Sequence, residues 1–172
     1  MDYPDKISEW FYQYGNDVYN FLVYYQGIKD VQDLVQEVFI KAAKGLASFR
    51  NDASLKTWLF SIARNVAIDH ARKGARRIKT IREPLVEDFA WGSVRGPEDI
   101  LLEDEALQEL YETIQALKDS YAEVLILRGI EGMSVAETAT VLDWKESKVK
   151  VTYHRAKLAL KASIDSERSV TL

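Results

Sequence analysis

Basic and hydroxyl-bearing side chains near the C-terminus have the clearest chemical capacity in this chain. The segment from Lys145 to Lys161 carries six basic residues and a single acid, Glu146. Lysine and arginine bond phosphates and guanine edges, and serine hydroxyls bond either. A helix with these groups on one side could therefore read a groove of duplex DNA. The residues expected to contact DNA, from this helix and the segment before it, are Ser134, Lys145, Ser147, Lys148, Lys150, Val151, His154 and Arg155.

Two short helices joined by a tight turn must position these groups. Ser134 and Glu137 have the spacing of a capping box, which predicts a helix start, and Asp143 is expected to be the N-cap of the next helix. Four apolar residues of that second helix recur at helical spacing and predict a core side opposite the basic side: Val149, Tyr153, Ala156 and Leu160. The pattern is typical of a helix-turn-helix. An ordinary helical hairpin with a solvated lysine face is the alternative.

A second basic segment lies far upstream, where Arg64 to Arg82 carries seven basic residues against Asp69. It belongs to a predicted helix from Ser54 to about Lys73, whose core stripe is Leu55, Trp58, Leu59, Ile62 and Val66. The opposite side could approach a nucleic-acid backbone, and the preceding loop could hold an extruded base. The residues expected at this second site are Phe49, Arg50, Asn51, Asp52, Ala53, Thr57, Ser61, Arg64, Asn65, Ile68, Arg72 and Arg76.

A third candidate surface lies on the helix that starts at Asp30, whose apolar stripe is clearly amphipathic. Opposite that stripe an apolar residue lies among polar ones: Asp33, Gln36, Glu37 and Ile40. The functional interpretation is docking on helices of a partner protein. The alternative is a stray exposed isoleucine, which needs no explanation.

Helical periodicity dominates the chain and strand alternation is nearly absent, which predicts an all-α fold. We expect two small helical domains, residues 1–76 and 97–172, joined by a flexible acidic linker at 77–96. Further helices are predicted from Ile7 to Tyr25, from Pro97 to about Leu117 and from Tyr121 to Ile130. The net charge is +4 over 1–82, −9 over 83–113 and +1 over 114–172. Two positive patches on an acidic tether suggest two contacts with one polyanion.

Composition argues against several classes of protein. There is no cysteine, and only two distant histidines are present, so disulfides, thiol chemistry and a metal site are not expected. The sequence contains no apolar run of about 18 residues, so no membrane-spanning helix is predicted. The N-terminus lacks the pattern of a secretory signal, so we expect a cytoplasmic protein. A glycine-rich phosphate loop and a catalytic constellation are also lacking, and neither enzymatic activity nor a cofactor is expected.

Three blocks of the sequence, in the right order, resemble the extracytoplasmic-function (ECF) group of bacterial RNA polymerase sigma factors. The first runs from Asp33 to Phe39, the second from Lys56 to Asp69, and the third is the helix-turn-helix that ends at His154-Arg155-Ala156. The resemblance covers about residues 10–74 and 100–162. It implies a promoter-specificity subunit that binds core RNA polymerase, with catalysis left to the polymerase.

The resemblance also implies roles for the three surfaces. Asp33, Gln36, Glu37 and Ile40 would meet the clamp helices of the β′ subunit. The loop from Phe49 to Ala53, with Arg64 and Asn65, would hold the melted −10 element, and the helix-turn-helix would read the −35 element as duplex. The β flap is a further expected contact on the polymerase, and an anti-sigma factor is an expected inhibitor. The acidic linker would suit a basic channel that otherwise holds RNA.

Two departures from the family pattern are visible. Primary sigma factors carry paired tryptophans that wedge apart the first melted base pair, where this chain has Ser61-Ile62. The turn of the helix-turn-helix lacks its usual glycine and has Leu142-Asp143, although aspartate tolerates left-handed geometry. A stand-alone helix-turn-helix regulator is the alternative function, but it would need neither the Ile40 surface nor the Asn51 loop.

Overall fold

The computed structural model describes residues 3–26, 31–49, 54–75 and 105–171. Every regular element in these ranges is helical, and the predicted all-α class is confirmed. The helices are α1 Tyr3–Gln26, α2 Val31–Gly45, α3 Leu55–Ala75, α4 Glu105–Ala116, α5 Asp119–Val124, α6 Val135–Leu142 and α7 Glu146–Val170. A 3-10 turn at Leu46–Ser48 follows α2, and a wider π-helical turn at Leu125–Ile130 continues α5. The predicted linker at 77–96 and the predicted helix start at Pro97 lie outside the described residues.

Helices α1, α2 and α3 pack on one another as the N-terminal domain. The predicted stripe of α2 is buried at Val31, Leu34, Val35, Val38, Phe39 and Ala42. Aromatic rings from the three helices meet in this core, since Phe11 lies 5.2 Å from Phe39 and Phe21 lies 4.9 Å from Phe60, centroid to centroid. Helix α1 begins at Tyr3, four residues before the predicted start at Ile7.

Helices α4 to α7 form the C-terminal domain, in which α6 and α7 are the helix-turn-helix. The predicted capping box is confirmed: the Glu137 amide donates to Ser134 Oγ at 3.0 Å, and the Ser134 amide donates to Glu137 Oε2 at 2.8 Å. The predicted role of Asp143 as N-cap of α7 is wrong. Asp143 is the C-cap of α6 in the left-handed conformation (φ 56°), and Lys145 occupies the N-cap of α7. Aspartate thus replaces the usual glycine of the turn, because its short polar side chain tolerates positive φ.

Buried apolar side chains of the two domains belong to one continuous core. Helix α3 of the N-terminal domain packs against α6, the first helix of the helix-turn-helix, and α1 also contacts α4. The sequence predicted two helical bodies whose spacing the linker leaves undefined. The structure joins them, and we call this arrangement the closed form. One polar contact between the domains is made by Arg64, on the face of α3 that was expected to bind nucleic acid.

Candidate nucleic-acid interface

Helix α7 has the two sides that its sequence pattern predicts. Val149 and Ala156 are fully buried against the domain core, and Tyr153 and Leu160 are half-buried beside them. The opposite side is open to solvent and carries the predicted groove residues, all exposed: Lys145, Ser147, Lys148, Lys150, Val151, His154 and Arg155. Ser134, at the start of α6, is also exposed. The structure therefore presents a basic helical surface of the kind that enters a major groove.

Aromatic rings contact Lys148 and two further cations of this domain. Lys148 Nζ lies 4.1 Å from the centroid of the Trp144 ring, just before α7 begins. The Tyr153 ring is flanked by Lys157 Nζ at 4.5 Å and by the Arg128 guanidinium at 5.1 Å. Arg128 also donates to the Met133 carbonyl at 2.5 Å, which ties the segment before α6 to α7. A cation–π contact at an exposed site is worth about 0.5–1 kcal/mol, so a DNA contact must exceed that to take Lys148 from Trp144.

A shallow cleft of about 550 Å³ lies beside α3. Its lining residues are Lys41, Ile62, Arg64, Asn65, Ile68, Asp69 and Arg72. Four of the residues predicted for the second site, Arg64, Asn65, Ile68 and Arg72, thus come together in one depression. Lys41 extends from α2 over the cleft, 3.9 Å from Asp69 and 3.2 Å from Glu37. This pairing connects the cleft to the surface of α2 that was expected to bind a partner protein.

The other residues predicted for the second site are placed differently. Thr57 is buried, and its Oγ1 lies 2.7 Å from Ser54 Oγ, so in the closed form it is not accessible to a backbone as the sequence suggested. The Ser61 hydroxyl donates to the Thr57 carbonyl at 3.0 Å. Arg50, Asn51, Asp52, Ala53 and Arg76 lie outside the described residues.

Phe49 packs into an aromatic cluster. Its ring centroid lies 4.8 Å from that of Trp58 and 6.3 Å from that of Trp10, and the two tryptophans are 6.1 Å apart. The amide of Thr57 donates to Ser54 Oγ at 3.1 Å, which caps α3. The residues on both sides of the 50–53 segment are therefore fixed to the body of the domain. Trp58 supports the core, as its spacing predicted.

The four residues predicted to bind a partner protein lie together on α2. Asp33, Gln36, Glu37 and Ile40 are each partly exposed, and none is in the buried stripe of the helix. Glu37 pairs with Lys41 one turn later. The surface is therefore accessible and mixes acids with one apolar side chain.

Glu123 of α5 is a site residue that the sequence analysis missed. Its Oε1 accepts hydrogen bonds from the Tyr25 hydroxyl at 2.5 Å and from Arg64 Nε at 3.1 Å, both on the other domain. The Glu123 side chain is 9% exposed and that of Arg64 is 19% exposed. Burial, first of all, and the hydrogen bond to Glu123 raise the pKa of Tyr25. The available signal was an acid near the start of an apolar run, Ala122 to Leu127.

A second acid of the C-terminal domain, Glu131, also meets the N-terminal domain. Its Oε2 lies 3.5 Å from Lys56 Nζ, which in turn lies 4.0 Å from Asp17 Oδ2. The Glu131 side chain is only 8% exposed. Burial raises the pKa of Glu131 from 4.5 to about 7, against the opposing effect of the Lys56 charge. Lys56 and Arg64 lie two helical turns apart on α3, so the C-terminal domain places one acid against each.

Within the described residues no cluster of three or more potential metal ligands occurs, and no helix is long and apolar enough to cross a membrane.

Sequence comparison identifies both domains. Residues 10–77 match the family described as Sigma-70 region 2, and residues 107–160 match Sigma-70, region 4. The chain is 38% identical to the ECF RNA polymerase sigma factor SigX of Bacillus subtilis, over 88% of this chain and 80% of that protein. It is 32% identical to the ECF RNA polymerase sigma-E factor of Escherichia coli K12, over 86% of this chain and 81% of that protein. The chain belongs to the ECF group of RNA polymerase sigma factors. It is a promoter-specific transcription initiation factor, and the stand-alone regulator is not favoured.

Solved structures of sigma factors have a similar fold. CnrH, solved in complex with the cytosolic domain of CnrY, superposes with a TM-score of 0.68 at 26% identity, covering 93% of this chain and 88% of that chain. The sigma factor RpoE of Bartonella quintana, solved with the anti-sigma factor NepR, superposes with a TM-score of 0.70 at 23% identity, covering 91% and 95%. The similarity to RpoE is evidence for the fold alone. Both cover the two domains of this sigma factor together.

The raised pKa of Glu131 predicts a pH-dependent stability. The folded protein binds a proton at Glu131 more readily than the unfolded chain does, so the stability from this group is complete below pH 4.5 and is lost as pH rises through about 7. We expect the free energy of unfolding, measured by urea denaturation, to fall between pH 5 and pH 8. The fall should be smaller in Glu131→Gln, which has no proton to lose. Glu109→Gln, an exposed acid of the same domain, is the control, and identical pH profiles for all three proteins would contradict the assignment.

Proposed function

We propose that this sigma factor uses three separate surfaces: α2 to bind core RNA polymerase, α7 to read the −35 element and the α3 cleft to hold the melted −10 element. The observation that carries the proposal is the distribution of accessible charge. Cations line the open side of α7 and outnumber the single acid, Asp69, in the cleft beside α3, whereas two acids and Ile40 lie together on the open side of α2, with Lys41 at their edge. Two surfaces thus suit a polyanion and the third suits a protein.

Reading of duplex DNA is assigned to α7 because its exposed side carries hydrogen-bond donors suited to base edges and others suited to phosphates. Lys148, at the N-terminal end of the helix, is placed as recognition-helix residues are when they contact base edges. Arg155 lies about two turns later and is suited to a phosphate. The exposed side chain of Val151 could contact a thymine methyl group.

Binding of the melted strand is assigned to the α3 cleft. Arg64 and Arg72 supply cations for phosphates, and Asn65 supplies an amide that can bond a base edge. The neighbouring loop, Phe49 to Ala53, is proposed to hold an extruded base, with its start fixed by the packing of Phe49 on Trp58. Because Ser61-Ile62 replaces an aromatic wedge, base capture must contribute more of the unstacking energy, which is a few kcal/mol.

Binding of core polymerase is assigned to Asp33, Gln36, Glu37 and Ile40, which would meet the β′ clamp helices, while the C-terminal domain would contact the β flap. An anti-sigma factor is the proposed inhibitor. Structures of CnrH with the cytosolic domain of CnrY, and of RpoE with NepR, support this class of partner. A helical segment of such a protein would cover the Ile40 surface and the helix-turn-helix.

The proposed polymerase surface can be tested by changing its charge and its apolar residue together. The double substitution Ile40→Glu with Glu37→Lys should abolish binding to core polymerase, because it removes the apolar contact and inverts a charge without touching the buried stripe of α2. Binding would be measured by fluorescence anisotropy with purified core enzyme, and helical content by circular dichroism.

The matched control for this surface is Tyr12→Glu on α1, which places an acid at an apolar side chain that is 68% exposed. It should bind core polymerase as the wild type does. Wild-type affinity in the α2 double mutant, or equal losses in the double mutant and the control, would overturn the docking assignment.

The recognition helix can be tested by separating specific from nonspecific contacts. Lys148→Ala should relax sequence preference at one base pair of the −35 element, at a cost of about 1–3 kcal/mol for the preferred base. Arg155→Ala should weaken binding to all promoter sequences alike and reduce the slope of log K against log salt concentration by about one. Binding of the holoenzyme to a library of promoter variants at several salt concentrations measures both effects.

Arg168→Ala is the matched control for the recognition helix, since this exposed cation lies on α7 about 20 Å beyond Arg155. It should leave promoter choice and the salt slope unchanged. The assignment fails if Lys148→Ala and Arg155→Ala are indistinguishable from this control.

A further inference from the structure

The segment that leads into the helix-turn-helix departs from ordinary α-helical geometry. Residues Leu125–Ile130 form a π-helical turn, and the Glu131 amide closes it by donating to the Ile126 carbonyl at 2.9 Å. The Met133 amide then donates to the Leu127 carbonyl at 3.0 Å. π-helical turns are rare in proteins and often occur at functional sites. Main-chain hydrogen bonds therefore connect this turn to the residue that precedes the N-cap of α6.

Arg128, within the π-helical turn, links the start of α6 to α7. Its Nη1 donates to the Met133 carbonyl at 2.5 Å, one residue before the N-cap of α6. Its guanidinium lies 5.1 Å from the centroid of the Tyr153 ring, about two turns into α7. Its Nε is buried and has no hydrogen-bond partner among the described residues. Because an unpaired buried donor is unfavourable, the position of this side chain depends on its contacts with Met133 and Tyr153.

The Tyr153 ring packs against the π-helical turn. A Cβ built on Gly129 would lie 3.8 Å from Tyr153 Oη, so the hydroxyl end of the ring lies beside the turn. Lys157 Nζ, one turn later on α7, lies 4.5 Å from the ring centroid. Arginine stacks on aromatic faces more readily than lysine does, because its guanidinium is planar and more weakly hydrated. Arg128 and Tyr153 therefore form a specific contact that a lysine in the turn would not reproduce.

Tyr153 is directly followed by two residues proposed to meet DNA. His154 and Arg155 are exposed, whereas Val149 and Ala156 of the same helix are fully buried. Successive residues of an α-helix are rotated by about 100°, so the placement of Tyr153 fixes the directions of the next two side chains. Hydrogen bonds to base edges depend steeply on distance and angle. A shift of α7 would therefore weaken base contacts more than it weakens the attraction of its cations to phosphates.

From this geometry we propose that Arg128 is a positioning residue for promoter recognition. Held between the Met133 carbonyl and the Tyr153 ring, it sets the orientation in which α7 presents its exposed side to the −35 duplex. Arg128 then contributes to sequence discrimination without touching a base. A direct phosphate contact by Arg128 is the alternative, and its loss would weaken binding to all sequences alike. This inference rests on the proposed role of α7 in reading the −35 element.

The first test compares holoenzyme binding to two promoter fragments that share one −10 element. One fragment carries the −35 sequence preferred in a promoter library, and the other carries a scrambled −35 sequence. The ratio of the two dissociation constants measures discrimination, and a smaller amount of folded protein leaves that ratio unchanged. Arg128→Lys keeps the charge but replaces the planar guanidinium, and it should lower the ratio at least threefold.

Arg168→Lys is the matched control for the first test, because it makes the same exchange at an exposed position of α7. It should leave the ratio of dissociation constants unchanged. A ratio lowered equally in Arg128→Lys and in this control would overturn the proposal. An unchanged ratio in Arg128→Lys would also overturn it, and equal weakening on both fragments would then identify a phosphate contact.

The second test approaches the same contact from α7, and it remains decisive if Arg128→Lys does not fold. Tyr153→Leu keeps an apolar side chain but removes the aromatic face, and it should lower the ratio at least threefold. Tyr153→Phe keeps that face and should restore discrimination. If Arg128 acts through Tyr153, Arg128→Lys combined with Tyr153→Leu should discriminate no worse than the poorer single variant. Losses that multiply in the double variant, or equal losses in Tyr153→Leu and Tyr153→Phe, would overturn the proposal.

Lys148→Ala separates failure of this proposal from failure of the proposed function. If Lys148→Ala lowers the ratio but Arg128→Lys and Tyr153→Leu do not, α7 reads the −35 element and only the positioning role is wrong. If none of the three variants lowers the ratio, the assignment of α7 to the −35 element is wrong, and the positioning proposal falls with it.

Discussion

A buried carboxylate between two domains is the interaction on which the rest of this structure depends. Glu123 is acceptable inside the core only because Tyr25 and Arg64 both donate to it from the other domain. Removal of one partner from a buried ion pair typically costs about 3–5 kcal/mol, although the remaining 19% exposure of Arg64 reduces that figure here. The N-terminal and C-terminal domains therefore stabilise each other through a contact that neither could satisfy alone.

This constraint connects the fold to its function. Helix α3 supplies core residues to the N-terminal domain, a packing surface to α6 and most of the lining of the cleft proposed for the −10 strand. The basic side of α7 stays exposed in the closed form, whereas Arg64 and Thr57 are largely covered. The proposed −35 surface is thus accessible in the free chain, and the proposed −10 surface is only partly so.

The sequence predicted the features that depend on residues close together in the chain. Amphipathic spacing placed the buried stripe of α2 and the two sides of α7, and the capping box placed the start of α6. Asp143 was misassigned because an acid between two helices suits either an N-cap or a left-handed C-cap, and only the backbone angle distinguishes them. The pairing of Glu123 with Arg64 spans 59 residues, and no periodicity reports such a contact. Thr57 was misplaced because helical spacing alone does not show that its hydroxyl lies buried beside the Ser54 cap.

The distance between the domains in the free protein tests the central claim most directly. Gln13 and Ser166 are both exposed and lie on different domains. Spin labels on cysteines introduced at these positions would report the interdomain distance by pulsed electron–electron double resonance, without interference from native thiols. The closed form predicts a single narrow distance distribution for the free chain, and a longer distance once core polymerase and promoter DNA are bound. A broad distribution in the free chain, unchanged by Glu123→Gln, would contradict the account.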